Sequence, residues 1–212
     1  MAERIYVALD LETTGLAPES DEIIEIGAVK FKQDGREIDV FQTLVNPRRS
    51  LPYNITKLCH ISQEEVDAAP PFSEVTAKLI SFLEGCSPVG HNVSFDLNFL
   101  AAKGINPPYP VYDTYELAKL LLPGLSERSL SAVAAHLGIP HPSAHRALAD
   151  AVVAKEVFIV LLKKLHDLEP GVLGEMVRLM ENTGSWIGSF LGEVAHARNV
   201  NPLLGAASFE SA

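Results

Sequence analysis

Residues 5–15, IYVALDLETTG, set the frame for the rest of the chain. Ile5, Val7 and Leu9 are apolar β-formers in alternation, which predicts a strand. Side chains two apart on a strand share a face, so Asp10 and Glu12 project together from an otherwise apolar element. Two carboxylates on a core strand repel each other and resist desolvation unless a cation lies between them, and a divalent metal meets that need. Thr13, Thr14 and Gly15 then break the strand with small residues that expose backbone N–H groups, a turn suited to a terminal hydroxyl or phosphate. A lone D-x-E recurs by chance, so the pair takes its meaning from what the rest of the chain supplies.

The chain has 212 residues, 47% hydrophobic and 21% charged, enough for one well-cored α/β domain with some to spare. No apolar run approaches the ~20 residues that span a membrane, and the opening MAERIY lacks the basic-then-apolar profile of a signal peptide. Cys59 and Cys86 are the only cysteines and have no metal-ligand spacing, which disfavours a disulfide framework or zinc ribbon and predicts a cytoplasmic setting. A net charge of −10 suggests weak, salt-sensitive contact with nucleic acid rather than tight coating, since acids gathered around metals contribute to the count. Arg48, Arg49, Lys57, Arg128 and Arg146 are scattered candidates for phosphate contacts; each reads equally well as a solubilising charge.

Outward from the first strand, residues 22–32 (EIIEIGAVKFK) predict a second strand, Asp34 and Gly35 a hairpin turn, and residues 37–45 a third strand. A short helix is expected over 54–58, capped by Asn54. Residues 73–83 carry Val75, Leu79, Ile80 and Leu83 at helical spacing, with Gly85 closing the helix. A short buried strand over 88–91 leads to a helix capped by Asn92 and running to 102, with Phe95, Phe99 and Leu100 inward. Another short strand is expected over 111–113, then helices over 114–122 and 130–137. A long helix from His145 to about His166 buries Ala147, Ala151, Ala154, Val157, Phe158, Leu161 and Leu165. A meander followed by alternating helices and short strands predicts an α/β fold, a mixed sheet with helices on both faces. The expected organisation is a main domain over 1–166, a helical appendage of two short amphipathic helices over 167–198, and a tail or linker start over 199–212.

Two further segments supply acids. In H-N-V-S-F-D, residues 91–96, Asp96 falls in the first turn of its helix just beyond a buried strand, within reach of the sheet edge. In H-R-A-L-A-D, residues 145–150, the five-residue interval is a rotation of roughly 140° from eclipsed on a helix. His145 therefore belongs to the preceding loop and Asp150 to the helix, and Pro140 and Pro142 support that loop. His141 and His145 are spaced like a metal pair, but the prolines forbid the helix such a pair needs. Four carboxylates are hard donors that suit Mg²⁺ or Mn²⁺. Two such ions about 4 Å apart activate a water and stabilise the leaving oxygen of a phosphodiester, and a histidine titrating near neutrality is a fitting base for that water.

The ordered set D-x-E-T-T-G, H-N-x-x-F-D and H-R-A-x-x-D-A, with V-Y-D-T and S-L-S-A-V-A-A-H-L-G-I between, resembles the DEDDh class of 3′→5′ exonucleases over roughly residues 4–165. This is the family of the bacterial polymerase III proofreading subunit. The resemblance implies an RNase H-like fold in which Asp10, Glu12, Asp96 and Asp150 bind two Mg²⁺ ions, with Mn²⁺ able to substitute. It implies that Asp10 bridges the metals, that Asp96 acts on the second through water, and that His145 is the general base. The backbone of Thr13 and Thr14, with Gly15, would hold the 3′ end, Leu16 would wedge against the terminal base, and His91, Asn92 and Phe95 complete the substrate-binding set, Asn92 near the scissile bond. The implied reaction releases 5′-mononucleotides from single-stranded or frayed DNA in proofreading or repair, with RNA trimming by the same site as the alternative. Sequence preference should be low, since backbone and base-face contacts carry little sequence information.

One departure is visible: Cys59, His60 and Ile61 stand where the family commonly has a T-G-I-like turn, which predicts altered loop geometry near the substrate groove. L-E-P-G-V-L-G-E-M-V-R-L, residues 168–179, is similar to the segment that follows the exonuclease domain in chains fused to DinG-type helicases. A polymerase-anchoring tail or a self-association helix pair would show the same amphipathicity. Readings from other classes fare worse. An actin-like Mg-nucleotide binder leaves the H-x₄-D element without a role, and a non-catalytic nucleic-acid-binding module is disfavoured because all five catalytic positions carry the required residue types.

Overall fold

The computed structural model describes residues 4–106, 110–181 and 183–199. The opening stretch is strand β1 (Ile5–Thr13), in the middle of a five-stranded sheet among the described residues. β2 (Ile23–Lys32) and β3 (Glu37–Leu44) continue from it as an antiparallel meander. β4 (Ser87–Gly90) and β5 (Tyr112–Asp113) join the other side of β1 in parallel, giving the order β3-β2-β1-β4-β5. Parallel neighbours require crossovers. The helices α3 (Phe72–Leu83) and α4 (Ser94–Ala102) lie in those connections, after the short α1 (Tyr53–Cys59) and α2 (Gln63–Asp67).

Alternation along β1 assigns its two faces. Val7, Leu9 and Leu11 enter a buried cluster with Val75, Leu79 and Phe82 of α3 and Phe99 and Leu100 of α4. On the opposite face Tyr6 packs against Phe31, Tyr112 and Phe158, the last on the long helix α7 (Ala147–His166). The row that begins with Tyr6 and Ala8 ends with Asp10 and Glu12. Both acids therefore lie on the α7 side of the sheet, at the carboxyl end of its central strand. Between β5 and α7 the chain forms α5 (Thr114–Leu121) and α6 (Leu130–His136).

Several local expectations give way to structure. Asn54 is the second residue of α1, not its cap; Pro52 precedes the helix with extended backbone and no side-chain cap bond, as its fixed φ dictates. Ile80 is half-exposed and Phe82 takes its place, because Val75, Leu79, Phe82 and Leu83 make a tighter stripe from which Ile80 is a full residue step round the helix. Asn92 does not cap α4. It adopts a left-handed conformation (φ 62°), and its N–H is taken by Asp113 from β5. α2 was not expected, although Ser62 and Glu65 form a capping box whose S-x-x-E signature is present in the sequence.

Residues up to Ile159 form one compact unit and those from Val160 another. The second unit contains α8 (Pro170–Met180) and α9 (Trp186–Ala197), with Leu173, Val177, Ile187, Phe190, Leu191 and Val194 buried. One glycine of this segment, Gly188, serves its packing. A Cβ on Gly188 would come within 2.5 Å of the Met180 carbonyl oxygen. Val172 and Leu179 are exposed. The expected tail over 199–212 lies, apart from Asn199, outside the described residues. No helix among those described is long and apolar enough to cross a membrane.

Candidate active site

Strand register puts Asp10 opposite Gly27 and Glu12 opposite Glu25. Those two β2 residues receive the start of α7. Glu25 is fully buried, and its carboxylate accepts from Arg146 Nε (3.1 Å), Arg146 Nη2 (2.9 Å), the Ala147 backbone N–H (3.1 Å) and Gln42 Nε2 (3.1 Å). At Gly27 an added Cβ would lie 2.1 Å from the Leu148 nitrogen, so only glycine lets the helix backbone approach so closely. Arg146, a candidate phosphate contact by sequence, is thus committed to Glu25. The clasp delivers Asp150, in the first turn of α7, beside the β1 acids.

Asp96 arrives from the first turn of α4 and is buried. Its Oδ1 accepts the Leu11 N–H at 2.9 Å, just past the last β1–β4 register pair at Ala8 and Val89. Asp113, at the end of the short strand expected there, organises the neighbouring turn: it caps α5 through Tyr115 N (2.8 Å) and accepts from Asn92 N (2.9 Å) and Val93 N (3.1 Å). His91, expected to touch substrate, has both ring nitrogens occupied, Nδ1 at Thr114 Oγ1 (2.9 Å) and Nε2 at the Arg128 carbonyl (2.7 Å). Burial holds its pKa below the usual histidine value. The ring clasps the chain around the site instead of presenting a free donor.

His145 lies outside α7 with φ 65°, and its N–H donates to Asp150 Oδ2 at 3.2 Å. The other Asp150 oxygen accepts from His141 Nε2 at 2.6 Å. His141 therefore does not pair with His145 as a metal couple; it faces the carboxylate. Glu12, His145 and Asp150 each offer a ligand atom within 4.8 Å of the others.

The acids perturb one another. Glu12 is pushed up to about 7, chiefly by burial and then by the charges of Asp150 and Glu25, with Arg146 opposing. Asp96 is pushed up to about 8 by burial, against the stabilising Leu11 N–H. Asp10 is raised well above the usual carboxylate range by burial first and then by Asp96, Asp150, Glu12 and Glu25. Carboxylates in this state lack positive charge, and oxygen donors with one imidazole suit a hard divalent cation.

The Thr13–Gly15 turn is more self-contained than its composition suggests. Thr14 N–H donates to the Glu22 carbonyl (2.8 Å), and Thr14 Oγ1 donates to Asp21 Oδ1 (3.1 Å). Thr13 Oγ1 donates to the Gly15 carbonyl (2.6 Å). The Thr14 N–H expected to hold a strand end is thus already used, whereas Leu16 at the tip is 84% exposed. Asn92 is exposed and Phe95 half-buried against Phe99. At the Cys59-His60-Ile61 departure, His60 is the C-cap of α1 with φ 56°. The left-handed backbone that a glycine would take is kept, with histidine bearing it.

The family model RNase_T, described as Exonuclease, matches residues 7–158. The PolC-type DNA polymerase III of Clostridium perfringens (strain 13 / Type A) is 41% identical over 166 residues, covering 76% of this chain and 11% of the relative. The DNA polymerase III subunit epsilon of Treponema pallidum (strain Nichols) is 38% identical over 164 residues, 74% of this chain and 76% of the relative. The 3′-5′ exonuclease DinG of Bacillus subtilis (strain 168) is 33% identical over 202 residues, 92% of this chain and 21% of the relative. The chain thus spans about an eighth or less of the PolC-type relatives (11–13%). Among solved structures, Exonuclease X in complex with 5′ overhanging duplex DNA matches with a TM-score of 0.59 at 26% identity, covering 74% of this chain and 91% of its own. The nuclease domain of 3′hExo, a DEDDh family member, bound to rAMP, matches at 0.64 and 21% identity, covering 76% and 93%. The fold is the RNase H-like α/β fold of these exonucleases.

Proposed function

The chain belongs to the RNase_T exonuclease family, and from that premise we propose that it is a metal-dependent 3′→5′ exonuclease that removes 5′-mononucleotides from single-stranded or frayed DNA ends. The observation that carries this reading is the approach of Glu12, His145 and Asp150, from a strand, a loop and a helix, to within 4.8 Å of one another, beside Asp10 and Asp96. Asp10, Glu12, Asp96 and Asp150 would hold two Mg²⁺ ions, or Mn²⁺ in their place, and when bound such ions supply water activation and neutralise charge on the leaving oxygen.

The residues of the chain have separable roles in this reading. His145 accepts the proton of the attacking water; its loop position leaves the imidazole accessible while Asp150 holds its backbone. Leu16, exposed on its turn, contacts the face of the terminal base, and Asn92 and Phe95 border the same end of the sheet. Contacts of this kind are tolerant of sequence. The DinG alignment covers 92% of the chain, more than residues 1–166 can supply, so the α8–α9 segment shares in that similarity.

The test is digestion of 3′-labelled and 5′-labelled single-stranded oligonucleotides, DNA and RNA, with Mg²⁺, Mn²⁺ or EDTA. Mononucleotide release from the 3′ end, only with metal and faster on DNA, is expected. Release from the 5′ end, or activity that persists in EDTA, refutes the proposal; faster cleavage of RNA transfers the substrate assignment to RNA.

A further inference from the structure

We propose that His141 is a positioning residue that fixes the Asp150 carboxylate for cation binding and, through it, the backbone of His145. The proposal rests on the exonuclease reading above. His141 Nε2 lies 2.6 Å from Asp150 Oδ1, and Nδ1 lies 2.9 Å from Ser131 Oγ on α6. A carboxylate accepts and does not donate, so the ring proton is on Nε2. In the neutral ring Nδ1 is then left to accept the Ser131 hydroxyl. The His141 side chain is only 7% exposed. Pro142 confines its backbone to extended conformations.

Asp150 is held at both oxygens, Oδ1 by His141 and Oδ2 by the His145 N–H. Each carboxylate oxygen has two acceptor sites, so each keeps one for a cation after these bonds are made. The His145 bond has its own consequence. At φ 65° the His145 backbone is in a region uncommon for non-glycine residues, and the Asp150 carboxylate holds its N–H there. A freely rotating Asp150 would therefore loosen a ligand and the base together. Bonds from outside the ligand set that orient a liganding carboxylate are typically worth 10–100-fold in metal affinity or activity.

The test compares H141Q, which keeps an N–H donor near the Nε2 position, with H141L, which fills similar space without one. Mn²⁺ affinity is read by titration calorimetry, and kcat on single-stranded DNA is measured separately. H141L should weaken Mn²⁺ binding and lower kcat each by about 10–100-fold, H141Q should restore most of both, and S131A should fall between. Equal Mn²⁺ affinity and kcat in wild type and H141L, or equal impairment of H141L and H141Q, would overturn the role. A wild-type protein that neither binds Mn²⁺ nor cleaves would instead refute the exonuclease reading itself.

Discussion

Held in EDTA, the protein should lose stability as the pH rises from about 5 to about 8, and Mn²⁺ should restore it most at the upper end. The cause is the carboxylate group at the end of β1. Burial and the neighbouring Asp150 and Glu25 charges bring Glu12 to about 7, from an ordinary value of 4.5. Between those two values the folded protein keeps a proton that the unfolded chain has released. Stability contributed by this group is therefore complete at low pH and declines as the pH climbs through the folded value. Integrating that proton difference from about pH 5 to about pH 8 gives a loss of roughly 2–3 kcal/mol for Glu12 alone. At about 2–4 °C per kcal/mol for a domain of this size, the melting temperature should fall by roughly 5–10 °C. Asp96, pushed up to about 8, and Asp10, also raised, act in the same direction. A cation bound only by the folded state reverses the loss, by about 2.7 kcal/mol at a hundredfold excess over its Kd. The assay is thermal melting at several pH values with EDTA or Mn²⁺, for wild type and E12Q. E12Q should flatten the EDTA profile. A metal-free Tm that is level or rises over this range, or a Mn²⁺ shift equal at pH 5 and pH 8, would refute the reasoning.

Other perturbations separate charge, proton transfer and placement. D10N should abolish hydrolysis while raising the Tm in EDTA at pH 8, because it removes one of the mutually repelling acids; hydrolysis at the wild-type rate would contradict the ligand assignment. H145A should cost about 10²–10⁴-fold in kcat, and an unchanged rate with an unchanged pH profile would remove the base role. G27A forces the α7 backbone away from β2, and a displacement of about 1 Å at His145 and Asp150 predicts a loss near 10²-fold in kcat; full activity would show that the helix start is not held there. R146M leaves Glu25 buried without its cation, and denaturant unfolding should report about 3 kcal/mol of lost stability.

The strand pattern was legible because burial and periodicity coincide in it. β1 and β2 alternate strictly between two covered faces, and the α7 stripe from Ala147 to Leu165 is apolar at each helical step, so these elements lie where hydrophobic spacing predicts. The errors occur where a distant segment does a local job. Asn92 is a good cap by composition, yet the acceptor for its turn comes from Asp113, twenty-one residues away. Ile80 and Phe82 are both apolar, and the narrower stripe that α3 buries covers Phe82 and leaves Ile80 half-exposed.

The site divides along the same line. Its acids and His145 announce themselves because no hydrophobic logic accounts for them at the ends of buried elements. The groups that hold them are hidden by ordinary roles. Glu25 sits in EIIEIGAV as one polar residue in a strand, and Arg146 reads as one more surface charge, but together they pin α7 to β2 across 121 positions of sequence. His141 was visible only as a poor metal partner for His145, since spacing along the chain says nothing of a ring held between two prolines and turned toward Asp150. Asp96 completes the pattern, since one of its oxygens satisfies a backbone N–H of β1. The carboxylates are thus joined to the framework through main-chain donors at Leu11, Ala147 and His145, which no side-chain motif records. Substitutions at Glu25, Gly27 and His141 should therefore alter turnover while leaving every residue of the recognisable motifs in place.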